Sequence, residues 1–286
     1  MRNNSYRILT RGSLISNDTW VTGINNNDLV IGPSGAGKTR SYVKPNLLQC
    51  SESFIVADTK GSLIQEVGPV LKLHGYRVIN LDFTDMLGSY GYNPLDHIRY
   101  DKRRKKYVEQ DIMTIADSLV PMEDEKSPFW DQAAKMYLAS LIGYVLECLP
   151  RREHTMEYVA KLFTQMQREK YGAPSRGEEL FRELGMENPD SFAYKKYQMY
   201  KATADAERMH ASILGILAEK LDPLVYDGPL AMYSRKKRMD FRTLGREKTA
   251  VFLTISDTDR SADRLVNLFY TQALQTLCRS ADRDYP

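Results

Sequence analysis

Three cysteines, four histidines and two tryptophans in 286 residues leave little material for crosslinks or metal sites. Cys50, Cys148 and Cys278 are widely spaced and form no CxxC pair. That excludes a disulfide-stapled secreted framework and fits a reducing cytosol. His74, His97, His154 and His210 show no ligand spacing, so a structural zinc site is not expected. No segment approaches the ~20 apolar residues of a membrane span. The longest apolar stretch, Tyr137 to Leu149, is broken by Ser140, Gly143 and Glu147. The first residues lack the apolar core of a signal peptide, and the chain reads as soluble and cytoplasmic. Its net charge of +3 is too small to imply a nucleic-acid partner, so any such role rests on local clusters.

With 42% hydrophobic and 27% charged residues the composition is that of a globular protein. At roughly 150 residues per domain the length suggests two domains, or one domain with an insertion. Residues 1–98 alternate between strand and helix patterns. Asp28–Ile31 is a short apolar run entering a glycine-rich turn, and Ser53–Ala57 is a buried-strand pattern ending in Asp58. Residues 62–74 follow as a helix closed by Gly75, and Tyr76–Leu81 is the next strand. This spacing indicates βαβ units with a parallel sheet.

From 99 to 228 strand signals nearly vanish. Phe129–Leu149 is a long amphipathic helix, and Thr155–Gln167 and Thr203–Leu221 are two more, with Thr203 as N-cap and Asp222-Pro223 as the stop. Strand Thr249–Ile255 and helix Ser261–Leu277 restore the α/β alternation in 229–286. An all-helical insertion (99–228) in one α/β domain accounts for this order.

Gly32-Pro33-Ser34-Gly35-Ala36-Gly37-Lys38-Thr39 matches GxxxxGK[ST] without departure. Glycines let successive N–H groups converge on phosphate oxygens, and the helix that follows adds its positive end. Lys38 is expected to reach the β- and γ-phosphates and the Thr39 hydroxyl to ligand Mg²⁺, with Arg40 beside them. ATP and Mg are the implied cofactors. Pro45 falls in the second turn of the helix and is expected to kink or end it. Asp58, at a strand end, is open to two readings: an outer Mg²⁺ ligand with a catalytic role, or a loop-positioning group. Asp82 and Asp257 read as structural.

Two basic runs flank the helical block. Arg99, Lys102, Arg103, Arg104, Lys105 and Lys106 lie between Tyr100 and Tyr107; Arg235, Lys236, Lys237 and Arg238 form the second. Both suit nonspecific contact with phosphates, and the tyrosines suit stacking on unpaired bases; the alternative is a solvated charged surface.

Taken in order, NNNDLVIGPSGAGKTRSYVKPNLLQ, SFIVADTKGSL, GYRVINLDF with YNPLD, FWDQAAKMYLASLIGYVLE and TAVFLTISDTDRSADRLVNLFYTQALQTL resemble the type IV secretion coupling proteins of conjugation, the TraG class. The resemblance implies a RecA-like P-loop NTPase sheet with an inserted all-α domain, incomplete at its C-terminal side. It further implies a DNA-dependent ATPase that assembles as a hexamer and passes relaxase-bound DNA to the secretion channel. Residues 32–39 then form Walker A, and Asp58-Thr59-Lys60-Gly61 matches the family's D-x-K-G element. Pro45 also fits the family pattern. Family members usually begin with membrane-spanning helices and carry their Walker B carboxylates beyond the last helix matched here. The expectation is therefore a coupling protein shortened at both ends, binding nucleotide with or without turning it over. The alternative is a non-hydrolysing adaptor that recruits DNA or relaxosome proteins through the helical block. A small-molecule P-loop kinase is the weakest reading, since no lid or acceptor-site pattern is found.

Overall fold

The computed structural model describes residues 5–122, 128–167, 173–203 and 207–284. In chain order the elements are β1 (Tyr6–Thr10), β2 (Ser13–Ser16), α1 (Thr19–Thr22), a π-helical turn (Thr39–Val43), α2 (Lys44–Leu48), β3 (Phe54–Asp58), α3 (Ser62–Leu73) and β4 (Arg77–Asp82). The series continues with β5 (Tyr100–Asp101), β6 (Lys106–Tyr107), α4 (Glu109–Leu119), α5 (Phe129–Cys148), α6 (Met156–Gln165), α7 (Arg176–Glu187) and α8 (Phe192–Thr203). It closes with α9 (Glu207–Leu221), α10 (Asp227–Ser234), β7 (Thr249–Thr254) and α11 (Asp263–Asp284). They divide into two compact units, 1–80 with 243–255, and 81–242 with 256–286. The boundaries expected from sequence, 98/99 and 228/229, do not coincide with this division.

The first unit is built on a three-stranded sheet of order β3-β7-β4. β7 pairs in parallel with β3, from Phe54 opposite Ala250 to Asp58 opposite Thr254. Every residue of β7 is buried, as a central strand covered on both faces must be. α3 lays Leu63, Val67 and Leu71, spaced by four, onto a core shared with Cys50, Tyr76, Ala250 and Phe252. Gly75, at φ +81°, takes the left-handed conformation that ends this helix.

One expected strand is not found. Residues 28–31 belong to no strand or helix, and Leu29 and Ile31 are 86% and 85% exposed. An apolar run signals a strand only where a partner edge pairs with it, and none of the described strands does so. Conversely, an antiparallel hairpin, β1–β2, precedes it. Pro45 is accommodated by wide helical turns: the Lys44 amide reaches back to the Thr39 carbonyl, and α2 then starts with Pro45 in its first turn.

The second unit is mainly helical around α5, which is buried on nearly all sides from Ala133 to Leu146. A Cβ on Gly143 would come within 3.1 Å of the Ala193 backbone, so that glycine sets the close approach of α5 and α8. Aromatic rings fill the space between helices. Tyr137 stacks on Tyr200 at 4.1 Å, and Phe181 on Tyr197 at 4.3 Å. Thr203 does not cap α9; it is the last residue of α8, and its hydroxyl donates to the Tyr200 carbonyl at 2.6 Å. The block is also not wholly helical, because the first basic run folds as the two-stranded ribbon β5–β6. Among the described residues no helix is long and apolar enough to cross a membrane.

Candidate nucleotide site and basic surfaces

The motif residues form an open loop in the first unit. Gly35 and Gly37 sit at φ +78° and +84°, a region costly for any side chain with a Cβ. The loop closes on itself through the Ala36 amide and the Pro33 carbonyl (3.3 Å) and passes into the helical turn with the Ser41 amide on Gly37 (2.7 Å). Among the described residues the amides of Gly32, Ser34, Gly35, Gly37 and Lys38 have no protein acceptor, so they are available to a ligand. Lys38 folds back across the loop, its ammonium donating to the carbonyls of Gly32 (2.6 Å) and Pro33 (2.9 Å). Ser34, Ala36, Lys38, Thr39 and Arg40 are all exposed. Orphan amides, a positive side chain and an exposed hydroxyl on the next residue suit an anionic ligand carrying a hard divalent cation. Among the described residues no cluster of three His, Cys, Asp or Glu offers a protein-only metal site.

Asp58 has a visible structural task. It is buried at the end of β3, and its Oδ2 receives the amides of Leu63 (2.7 Å) and Ile64 (3.3 Å). The N-cap position of α3 is Gly61, which has no side chain to offer, so the carboxylate three residues earlier caps the helix. Gly61 itself is at φ +62°, facing Thr254. The D-x-K-G sequence is thus a strand-to-helix turn with its own cap. Asp82, read as structural, likewise receives the amides of Thr84 (2.9 Å) and Asp85 (3.0 Å).

In the second unit the two basic runs differ. Arg99 is tied to Asp111 by two hydrogen bonds of 2.8 and 2.9 Å. In the second run, Arg235 donates to the Leu87 carbonyl, and Arg238 grips Asp96 through two nitrogens, one at 3.0 Å. Only Lys236 and Lys237 of that run are without a side-chain partner among the described residues. The ribbon is the opposite case. Lys102, Arg103, Lys105 and Lys106 are exposed with no ion pair among the described residues, and Arg104 has only a 3.8 Å exposed contact with Asp101. Asp101 Oδ1 takes the Arg103 (2.8 Å) and Arg104 (3.2 Å) amides, which makes the turn. Tyr107 packs edge-on against Tyr100 at 5.1 Å and donates to His154 Nδ1 (3.2 Å), whose Nε2 donates to the Leu149 carbonyl (2.9 Å). This chain of bonds ties the ribbon to the segment carrying Arg151, a nearby cation that sequence reasoning did not single out.

The comparisons with known proteins agree with one another. The family model described as Type IV secretory system Conjugative DNA transfer matches residues 5–285. VirD4 of Rhizobium radiobacter is 27% identical over 260 residues, covering 88% of this chain and 35% of that protein. VirD4 of Rhizobium rhizogenes is 27% identical over 279 residues, 95% of this chain and 38% of the relative. The chain therefore spans little more than a third of the length of these relatives. Among solved structures, the unbound monoclinic form of the bacterial conjugative coupling protein TrwBdeltaN70 superposes with a TM-score of 0.60 at 15% identity, over 97% of this chain and 56% of that one. The fold is accordingly α/β, a parallel sheet joined to a mainly helical block, and it is similar to that of this solved coupling protein. On the extent of the family match, the chain belongs to the type IV secretory system conjugative DNA transfer family.

Proposed function

We propose that this chain is the ATP-binding portion of a coupling protein that delivers relaxase-bound DNA to a type IV secretion channel. The observation that carries this reading is the exposed loop at 32–39, with backbone amides that have no acceptor among the described residues and the Lys38 ammonium folded over its Gly32 and Pro33 carbonyls. Lys38 exchanges its carbonyl partners for β- and γ-phosphate oxygens, and Thr39 supplies a hydroxyl to Mg²⁺. A Mg²⁺ held there with the Thr39 hydroxyl would supply positive charge to offset that of the phosphates. Asp58 keeps the turn beside this site in shape, with an outer role toward Mg²⁺ as its second assignment. DNA contact falls to the β5–β6 ribbon rather than to Arg235–Arg238, because four ribbon cations have no ion pair among the described residues while both arginines of the second run are held by internal acceptors. A relaxase, secretion proteins and further copies in a ring are the partners of the intact protein.

The test is Mg-ATP binding and steady-state turnover at low salt, with and without single-stranded DNA, in wild type and Lys38→Ala. Binding lost in the variant and DNA-stimulated turnover above its level support the whole reading. Binding without turnover supports a nucleotide-bound adaptor. Saturable binding untouched by the substitution overturns the site assignment.

A further inference from the structure

The phosphate loop has two flanks, and they are held very differently. Behind it, the π-helical turn and α2 are fastened to β1: Asn46 receives the Ile8 amide and donates to the Ile8 carbonyl, both at 2.9 Å, and Gln49 donates to the Tyr6 carbonyl at 3.0 Å. Ahead of it, residues 29–31 make no backbone hydrogen bond among the described residues, and Leu29 and Ile31 project into solvent. Asp28 anchors this front flank. Its Oδ2 lies 2.7 Å from Arg7 Nε on β1 and receives the Tyr42 hydroxyl, from the back flank, at 2.6 Å. Arg7 in turn donates to Asn17 (3.0 Å) and to Asn26. The Arg7 and Asp28 side chains are only 12% and 18% exposed, so the pair is shielded where most surface pairs are not.

We propose that Asp28, bridging Arg7 and Tyr42, is a positioning residue that presets the phosphate loop for its anionic ligand, making the β1–β2 hairpin a working part of the nucleotide site. One carboxylate joins the strand that grips the back flank to the start of the front flank, so the loop between them has both ends fixed. A loop ordered before binding loses less conformational freedom on binding, which appears as affinity. Burial and the bond to Asp28 push the Tyr42 phenol up to about 12, so it stays a donor throughout the working range. Neither Arg7 nor Asp28 lies in the loop motif, and the two are distant in sequence.

The ligand half of this inference rests on the nucleotide reading above; the ordering half does not. The full chain is compared with Asp28→Ala, Tyr42→Phe, Arg7→Gln and Arg7→Lys, with Lys38→Ala as the site control. Trypsin cleavage after Lys38 and Arg40 is followed without nucleotide, Mg-ATP affinity by titration, and global stability by thermal melting. In Asp28→Ala, ligand-free cleavage is expected to rise several-fold and Mg-ATP affinity to fall about fivefold or more, with the melting midpoint little changed. Tyr42→Phe moves the same way by less, and Arg7→Lys recovers part of what Arg7→Gln loses. Unchanged cleavage in Asp28→Ala overturns the proposal, as does faster cleavage with undiminished affinity. If Asp28→Ala fails to melt cooperatively, Tyr42→Phe decides by the same two readouts. A wild type that does not bind Mg-ATP sinks the nucleotide reading alone, and the cleavage comparison still tests the node.

Discussion

The Asp58 carboxylate receives the Leu63 amide at 2.7 Å, closing the turn that carries β3 into α3. A buried helix cap of this kind is worth about 1–2 kcal/mol. Asp58→Ala is expected to lower unfolding stability by roughly that amount, shifting the denaturant midpoint without changing the slope. Asp58→Asn keeps an acceptor oxygen for the two amides and should retain most of the stability. The pair of variants therefore separates two roles. If Asp58→Asn is as stable as wild type but needs more Mg²⁺ to bind ATP, the carboxylate also serves the metal.

Gly91 sits where two segments of the second unit pair, its amide on the Lys237 carbonyl (3.2 Å) and its own carbonyl under the Met239 amide (2.8 Å). An added Cβ would meet the Lys237 carbonyl oxygen at 2.7 Å and the Arg235 Cβ at 2.6 Å. Since backbone is on the other side of that clash, the two segments must part. Gly91→Ala should cost about 1–3 kcal/mol in chemical denaturation, as overpacking does elsewhere. A variant as stable as wild type would show that residues 235–239 do not dock as described.

His97 gives the second unit an acid-sensitive point. Its ring packs at 4.3 Å from Phe241 and 5.7 Å from Tyr92, and Nε2 is enclosed without a hydrogen-bond partner among the described residues. Burial lowers its pKa from 6.5 to about 4, against the opposing pull of Asp96 and Asp240. The unfolded chain thus binds a proton below pH ~6.5 that the folded chain refuses until pH ~4. Stability is fully present above 6.5 and falls as pH drops between these values, by about 3 kcal/mol at most. His97→Phe should flatten that part of the stability–pH curve. An equal slope in wild type and variant would assign the acid loss to other groups.

The parts legible in the sequence are those whose determinants are local. The loop at 32–39, the strand–turn–helix of Phe54–Leu73 and the long helix α5 are each specified by neighbouring residues, and each is found within a residue or two. What was not legible depends on distant partners. Leu29–Ile31 has a strand's composition but no paired edge. The Thr203 hydroxyl, a plausible cap by type, turns back onto α8 instead. Arg7 and Asp28 carry no motif, and Asn46 reads as an ordinary helix residue until β1 is seen against it. The basic runs look alike as strings, yet both arginines of one are spent on Asp96 and a backbone carbonyl, while in the other Arg99 is spent on Asp111 and Lys102, Arg103, Lys105 and Lys106 have no ion pair among the described residues.

That contrast yields the last prediction. Cations already committed to internal acceptors cannot release counterions from a nucleic acid, whereas free ones can, and each phosphate neutralised steepens the salt dependence of binding. Replacing Lys102, Arg103, Lys105 and Lys106 together by glutamine should therefore weaken binding of a single-stranded oligonucleotide at low salt and reduce the slope of log affinity against log salt by up to about 3 units. The fold should be unaffected, since these side chains are exposed and have no ion pair among the described residues. Arg238→Gln should do the reverse, lowering stability through the lost grip on Asp96 while leaving the salt slope as it was. Arg151→Gln should join the ribbon variants, having no ion pair among the described residues and lying beside Tyr107. The decisive measurement is fluorescence anisotropy with a labelled oligonucleotide across a salt series. A slope that follows Arg238 rather than the ribbon would move the DNA contact to the other run.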